Sequence, residues 1–189
     1  MSEPILTIAN QLTILRMALV PLLVVLVLSR EFTWALVVFV VAGLTDLLDG
    51  LIARLGHQRT TLGAIIDPVA DKLLMGASFV VLTWGTELLV RIPAWLTVTL
   101  LSRDAIIIVS VAAIHFAHGH RLFRPSLLGK AATAAQIVTA GVVLLLNAMS
   151  YEYPAVTHLY RLTLALTVAS ALHYTYAAST GAGRTPTAK

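Results

Sequence analysis

The sequence predicts an all-α integral membrane protein of six transmembrane helices with both termini cytoplasmic, and three observations carry that expectation. Only 12% of the 189 residues are charged while 58% are hydrophobic, and the mean hydropathy is +0.88; a soluble domain carries roughly a quarter charged residues. The apolar residues fall into runs near the ~20 residues that a bilayer crossing requires. Between the runs stand short breaks of Gly, Pro and charge, the chemistry that ends helices.

The spans follow in order, each placed by its apolar run at about 6–29, 33–55, 61–84, 93–117, 127–149 and 155–178. The first ends at Ser29-Arg30-Glu31. Its core, Ile14 to Leu28, resembles a signal peptide in length, but it holds Arg16, lacks a small-x-small cleavage pattern and is followed by further spans. Leu55-Gly56-His57-Gln58-Arg59 closes the second span, Gly85 to Pro93 the third, His118 to Pro125 the fourth, and Ser150 to Pro154 the fifth. The membrane domain is expected over residues 1–180, with 181–189 as a polar tail. No internal repeat is visible, which argues against an inverted-repeat transporter.

Orientation follows from the Lys and Arg of the short loops. With the amino terminus inside, Arg54, Arg59, Arg121, Arg124, Lys130, Arg184 and Lys189 lie inside, against Arg30, Arg91 and Arg161 outside. Trp34, Trp84 and Trp95 then mark outer helix ends as interfacial anchors. The net charge of +4 is scattered, with no polybasic run to suggest nucleic acid. The absence of cysteine excludes disulfides and thiolate metal sites, and the six histidines form no ligand pattern.

Against this background, Thr45 to Lys72 holds four aspartates, Asp46, Asp49, Asp67 and Asp71. At about 100° per residue, Asp46, Asp49, Gly50 and Ala53 share one stripe of the second span. Gly63, Asp67 and Asp71 form a second stripe on the third, so four carboxylates are expected to converge near the cytoplasmic ends of two helices. Four unpaired carboxylates there would each cost roughly 2.5 to 3.5 kcal/mol, so positive charge must offset them. The candidates are Arg54, Arg59, Lys72 or metal ions. An all-oxygen set suits a hard cation such as Mg²⁺ or Mn²⁺, and a pair of such ions suits a diphosphate. Gly50, Ala53 and Gly63 leave room for a bulky ligand, though small residues equally permit close helix packing.

Asp46-x2-Asp49-Gly50-x2-Ala53-Arg54-x8-Gly63-x3-Asp67-x3-Asp71 resembles the complete signature of the CDP-alcohol phosphatidyltransferase family. The resemblance extends through Asn10 to Arg16, Ser102-Arg103-Asp104 and Gly129-Lys130, departing at Ala9, where relatives often carry proline. It implies a six-helix enzyme of the membrane, usually a homodimer, that transfers a phosphatidyl group from CDP-diacylglycerol to an alcohol and releases CMP. The resemblance further implies that Asp46, Asp49, Asp67 and Asp71 hold two divalent ions, with Asp71 also the general base. Gly50, Ala53 and Gly63 would admit the CDP moiety, with Arg54 near its phosphates. The expected location is a bacterial inner membrane, with the active site on the cytoplasmic side.

Arg103 and Asp104 lie inside the fourth span, where an ionisable residue points to function. Arg103 suits recognition of an acceptor phosphate, against mutual or interhelical pairing. Arg121, Arg124 and Lys130 form a basic group that suits either an acceptor phosphate or topology and anionic lipid. Glycerol 3-phosphate is the first expected acceptor because of this group, which would make the product phosphatidylglycerophosphate. Phosphatidylglycerol is the alternative, and Ala42 to Gly50, Ser102 to Asp104 and Tyr174 to Ala177 resemble the cardiolipin synthase branch. From other classes, a cation transporter should show polar residues along its whole path, and an aspartate-rich prenyltransferase should show a second acidic motif after Asp104. The sequence has neither.

Overall fold

Six α-helices make up the described chain. The computed structural model describes residues 8–55, 63–118 and 127–180, with the side chains of 8–10, 12, 47–55, 63–68, 110–118 and 177–180 outside the description. The helices are α1 (Ile8–Leu28), α2 (Phe32–Leu55), α3 (Gly63–Trp84), α4 (Ala94–His118), α5 (Leu127–Ala148) and α6 (Val156–Thr180), and no strand occurs among the described residues. All-α architecture was expected, and the helix ends flanked by described residues, Leu28, Phe32, Trp84, Ala94, Ala148 and Val156, fall within one residue of the expected spans. The helices run from 21 to 25 residues, or roughly 32 to 38 Å at 1.5 Å per residue.

By length and composition, Leu127–Ala148 is the one helix among the described residues that is long and apolar enough by itself to cross a membrane. Thr13–Leu28 and Phe32–Asp46 are apolar over shorter stretches. Asp46 and Asp49, Asp67, Asp71 and Lys72, and Arg103 and Asp104 sit within α2, α3 and α4 instead of beyond their ends.

The chain divides into two compact units: residues 1–92 with 140–153, and residues 93–139 with 154–189. In the first unit, α1 packs on both α2 and α3. Thr13, Arg16, Leu23 and Val27 on α1, Ala35, Phe39 and Ala42 on α2, and Ala70, Leu74 and Ser78 on α3 are buried. Their spacings, built from steps of three and four, put each set on one helix face. The outward faces are apolar too, with Ile14, Val25, Val37, Val40, Val69 and Leu73 exposed.

Two helices of this unit end alike. At the end of α1, Glu31 N donates to Leu26 O and Arg30 N to Val27 O; at the end of α5, Tyr151 N donates to Leu146 O and Ser150 N to Asn147 O. This is the Schellman pattern, and it requires a left-handed residue at the cap. Arg30 and Ser150 supply it with φ of 65° and 50°.

The second unit is joined by polar contacts. α4 packs on α6, whose inward face carries Tyr160, Thr163, Thr167 and Ser170, all buried. Gln136 Nε2 donates to Thr167 Oγ1 at 3.2 Å, and Thr139 Oγ1 lies 2.8 Å from Thr163 Oγ1. Both hydroxyls also reach Ala135 O, Thr139 at 2.7 Å and Thr163 at 3.5 Å, and either can donate to the other. Ile106, Ile108, Val109 and Leu172 are meanwhile exposed. Polar groups thus share the interior with the buried Leu96 and Leu100, while Ile106, Ile108, Val109 and Leu172 face outward.

Candidate active site

α2 and α3 are helical through every position of the two acidic stripes. Asp46, Asp49, Gly50 and Ala53 therefore share a face of α2, as Gly63, Asp67 and Asp71 share one of α3. The side chains of Asp49, Gly50, Ala53, Arg54, Gly63 and Asp67 lie outside the described residues, as do Arg59, Arg121 and Arg124 entirely. Among the described residues no three His, Cys, Asp or Glu side chains gather, a set that excludes Asp49 and Asp67.

Asp46 and Asp71 are both half-buried. Asp46 follows the fully buried Ala42 by one turn and Phe39 by two, so it continues α2's inward stripe. Asp71 lies on α3's inward stripe, one turn before the buried Leu74 and Met75 and two turns before the buried Ser78. It and the neighbouring Lys72 are each engaged in further interactions.

The counter-charge to Asp46 comes from a helix that the sequence reasoning did not consider for it. Arg16 of α1 is fully buried and places Nη1 2.8 Å from Asp46 Oδ1, while the aspartate side chain remains 45% exposed. Arg54, Arg59 and Lys72 were the expected candidates because they neighbour the carboxylates in sequence. The signal for Arg16 was present: it is the one charged residue between Ile5 and Ser29, and a lone ionisable group in an apolar helix demands a partner.

Of the two readings of Arg103, the structure contains the pairing. Arg103 Nη1 donates to Asp104 Oδ1 at 2.7 Å and Nη2 to Ser170 Oγ on α6 at 3.0 Å, all three residues being buried. Nε is buried with no hydrogen-bond partner among the described residues. Ser170 drew no notice in the sequence, although Thr163, Thr167 and Ser170 recur at helical spacing. Lys130 lies exposed in the first turn of α5.

A family model described as CDP-alcohol phosphatidyltransferase matches residues 6–175. The chain belongs to the CDP-alcohol phosphatidyltransferase family. Members similar to it include a cardiolipin synthase (CMP-forming) of Streptomyces coelicolor, 41% identical over 138 residues, covering 70% of this chain and 62% of that protein. The human cardiolipin synthase (CMP-forming) is 34% identical over 161 residues, covering 77% of this chain and 52% of its own. A Mycobacterium tuberculosis protein named "Probable phosphatidylglycerophosphate synthase" is 34% identical over 146 residues, covering 72% of this chain and 65% of its own. The chain thus spans between half and two thirds of the length of these curated relatives. Within the family match lie both acidic stripes, Arg16, and the pairing of Arg103 with Asp104 and Ser170.

Proposed function

We propose that this chain is a membrane phosphatidyltransferase that joins CDP-diacylglycerol to phosphatidylglycerol, giving cardiolipin and CMP. The observation that carries the acceptor is the 41% identity to a relative named cardiolipin synthase (CMP-forming). Glycerol 3-phosphate was the first expectation, on the strength of the basic residues after span four. Two facts weaken it. Relatives named for cardiolipin come from both Streptomyces and human, and the charge of Arg103 is already matched by Asp104. The Mycobacterium relative and the exposed Lys130 keep glycerol 3-phosphate as the second reading. Family membership favours phosphatidyl transfer over cation transport.

Placement in a bilayer is supported by the distribution of polarity. Exposed Val, Ile and Leu along α1 to α4 beside buried Thr, Gln, Arg and Asp suit an apolar solvent. In the first unit, Trp34, Trp84, Tyr151 and Tyr153 are exposed near helix ends, as an aromatic belt requires. The Lys and Arg of the short loops favour a cytoplasmic side for both termini and the acidic stripes. A homodimer is the assembly the family resemblance implies.

The donor set at Asp46, Asp49, Asp67 and Asp71 is all oxygen, and Asp46 keeps nearly half its side chain exposed beyond Arg16. Such a set fits Mg²⁺ or Mn²⁺, and these four residues would hold two ions. When bound, the ions supply charge stabilisation to a diphosphate. The acceptor hydroxyl attacks the phosphorus that bears diacylglycerol, its proton passes to the Asp71 carboxylate, and the bond to CMP breaks with its electron pair leaving on CMP. Gly50, Ala53 and Gly63 make room for the CDP moiety and Arg54 neighbours its phosphates. Arg103, Arg121, Arg124 and Lys130 remain the candidates for the acceptor's phosphate.

The deciding experiment supplies the purified full chain with CDP-diacylglycerol, Mg²⁺ and either labelled phosphatidylglycerol or labelled glycerol 3-phosphate. Cardiolipin and stoichiometric CMP, both lost in excess chelator, are expected. Phosphatidylglycerophosphate without cardiolipin would move the acceptor to the second reading. CMP release with neither acceptor would sink phosphatidyl transfer itself.

A further inference from the structure

Arg16 has no exposed surface, in a helix that packs on both α2 and α3, yet its Nη1 meets a carboxylate that is nearly half exposed. A guanidinium stripped of water is tolerated only with a partner charge in good geometry. The backbone sets that geometry from both sides. Arg16 stands on α1's inward stripe, one turn after buried Thr13 and two turns before buried Leu23; Asp46 stands one turn after buried Ala42. Arginine keeps its charge in any surroundings. Nη1 approaches one oxygen, Oδ1, at 2.8 Å as an ion pair without hydrogen-bond geometry, and the exposed part of the carboxylate is left for another ligand.

We propose that Arg16 is a positioning residue for the cation site: its buried charge holds the Asp46 carboxylate at Oδ1, so that the exposed part of the same carboxylate would be available to a divalent ion. The role rests on the metal reading given above and is separate from the choice of acceptor. Groups that orient a ligating carboxylate usually contribute about 10- to 100-fold to metal affinity. A bare counter-charge would do the opposite, because a guanidinium beside the site repels a second cation. The two roles therefore differ in sign.

The test is Mn²⁺ binding to the purified full chain, followed by the loss of the free-ion paramagnetic resonance signal, with the unfolding temperature of the metal-free protein measured alongside. Arg16→Gln should weaken Mn²⁺ binding about 10- to 100-fold, and Arg16→Lys by less. In an Asp46→Asn background both effects should vanish, since the clamped oxygen pair is no longer a carboxylate; a merely structural arginine would act regardless of that background. Unchanged or tighter binding by Arg16→Gln overturns the proposal. Should Arg16→Gln fail to fold, Arg16→Lys decides: weakened binding that depends on Asp46 supports the clamp, and wild-type affinity overturns it. Absence of Mn²⁺ binding by the wild-type chain removes the metal reading and the clamp with it, whereas wild-type binding that both variants retain removes the clamp alone.

Discussion

Asn147 holds the backbone of Val90 on both of its hydrogen-bonding groups: its Oδ1 accepts from Val90 N at 3.3 Å and its Nδ2 donates to Val90 O at 2.8 Å. The same Oδ1 accepts from Leu89 N at 2.8 Å, and Nδ2 also donates to Val143 O at 2.8 Å. One side chain at the end of α5 thereby satisfies a stretch of loop backbone between α3 and α4 that no helix serves. Its four contacts use the full capacity of a primary amide.

Removing that amide leaves buried backbone groups without partners. Asn147→Leu keeps the volume but strands Leu89 N, Val90 N and Val90 O, so a loss of roughly 2 to 4 kcal/mol is expected from unsatisfied groups at about 1 to 3 kcal/mol each, partly relieved by relaxation. Unfolding in detergent, followed by circular dichroism or a thermal-shift dye, measures it. An unfolding temperature equal to wild type would mean that the loop finds other partners and that the clamp contributes nothing.

Gly85 closes α3 under a steric rule. Its N–H donates to Val81 O at 2.8 Å, and a Cβ built on Gly85 would lie 2.4 Å from that same carbonyl oxygen. Since the obstacle is backbone, the helix end itself must shift. Gly85→Ala should therefore destabilise by about 1 to 3 kcal/mol, the usual range for overpacking. A control at Gly43, where an added Cβ meets nothing within 4 Å, separates this clash from a general intolerance of alanine; equal effects at the two sites would refute the steric account.

The paired hydroxyls of Thr139 and Thr163 test how much an internal hydrogen bond contributes between α5 and α6. Thr163→Val and Thr139→Val each remove one of the two hydroxyls at nearly constant shape. Interhelical hydrogen bonds in membrane proteins average about 0.6 kcal/mol and reach about 1.7 kcal/mol in double-mutant cycles, so the coupling between these two substitutions should fall in that range. Strict additivity would show that the two hydroxyls, though 2.8 Å apart, are energetically independent.

The helices were legible because their signals are local. An apolar run bounded by Gly, Pro and charge needs no knowledge of its neighbours, and Gly85 ends α3 for a reason that resides in its own backbone. What joins helices was less legible. Arg16 meets Asp46 through the rotational phase of α1 against α2, which packing sets, and a search for counter-charge among sequence neighbours passes over it. Asn147 reads as an ordinary polar residue at a span's end, since nothing in its own segment reveals the distant loop at residues 88–90. The stripe of Thr163, Thr167 and Ser170 was readable at spacings of four and three, but the many other polar residues of α6 obscure it. Arg103 shows the middle case: both of its readings were stated, and only the position of Ser170 on another helix bears on the pairing.

Asp71 carries the sharpest prediction for chemistry, because it is assigned two roles that one substitution can separate. It lies on α3's inward stripe, one turn before the buried Leu74 and Met75, yet is itself only half-buried. The carboxylate therefore faces the packed side of the helix while keeping some surface open, as a group that both binds and takes a proton needs. Asp71→Asn keeps the shape and removes the basicity. If the proton of the acceptor hydroxyl passes to this carboxylate, the transfer rate should fall by about 10² to 10⁴, the usual contribution of a general base. Three aspartates would remain to hold the cations, so CDP-diacylglycerol affinity should change far less than the rate. Both quantities are to be measured on one purified preparation in saturating Mg²⁺, with phosphatidylglycerol as acceptor. A parallel collapse of affinity and rate would make Asp71 chiefly a ligand, and survival of the rate would assign the proton to another group. Asp46→Asn supplies the contrast: as a ligand without a proton to take, it should weaken Mn²⁺ binding and transfer together, and raising Mg²⁺ should restore part of its rate but not that of Asp71→Asn.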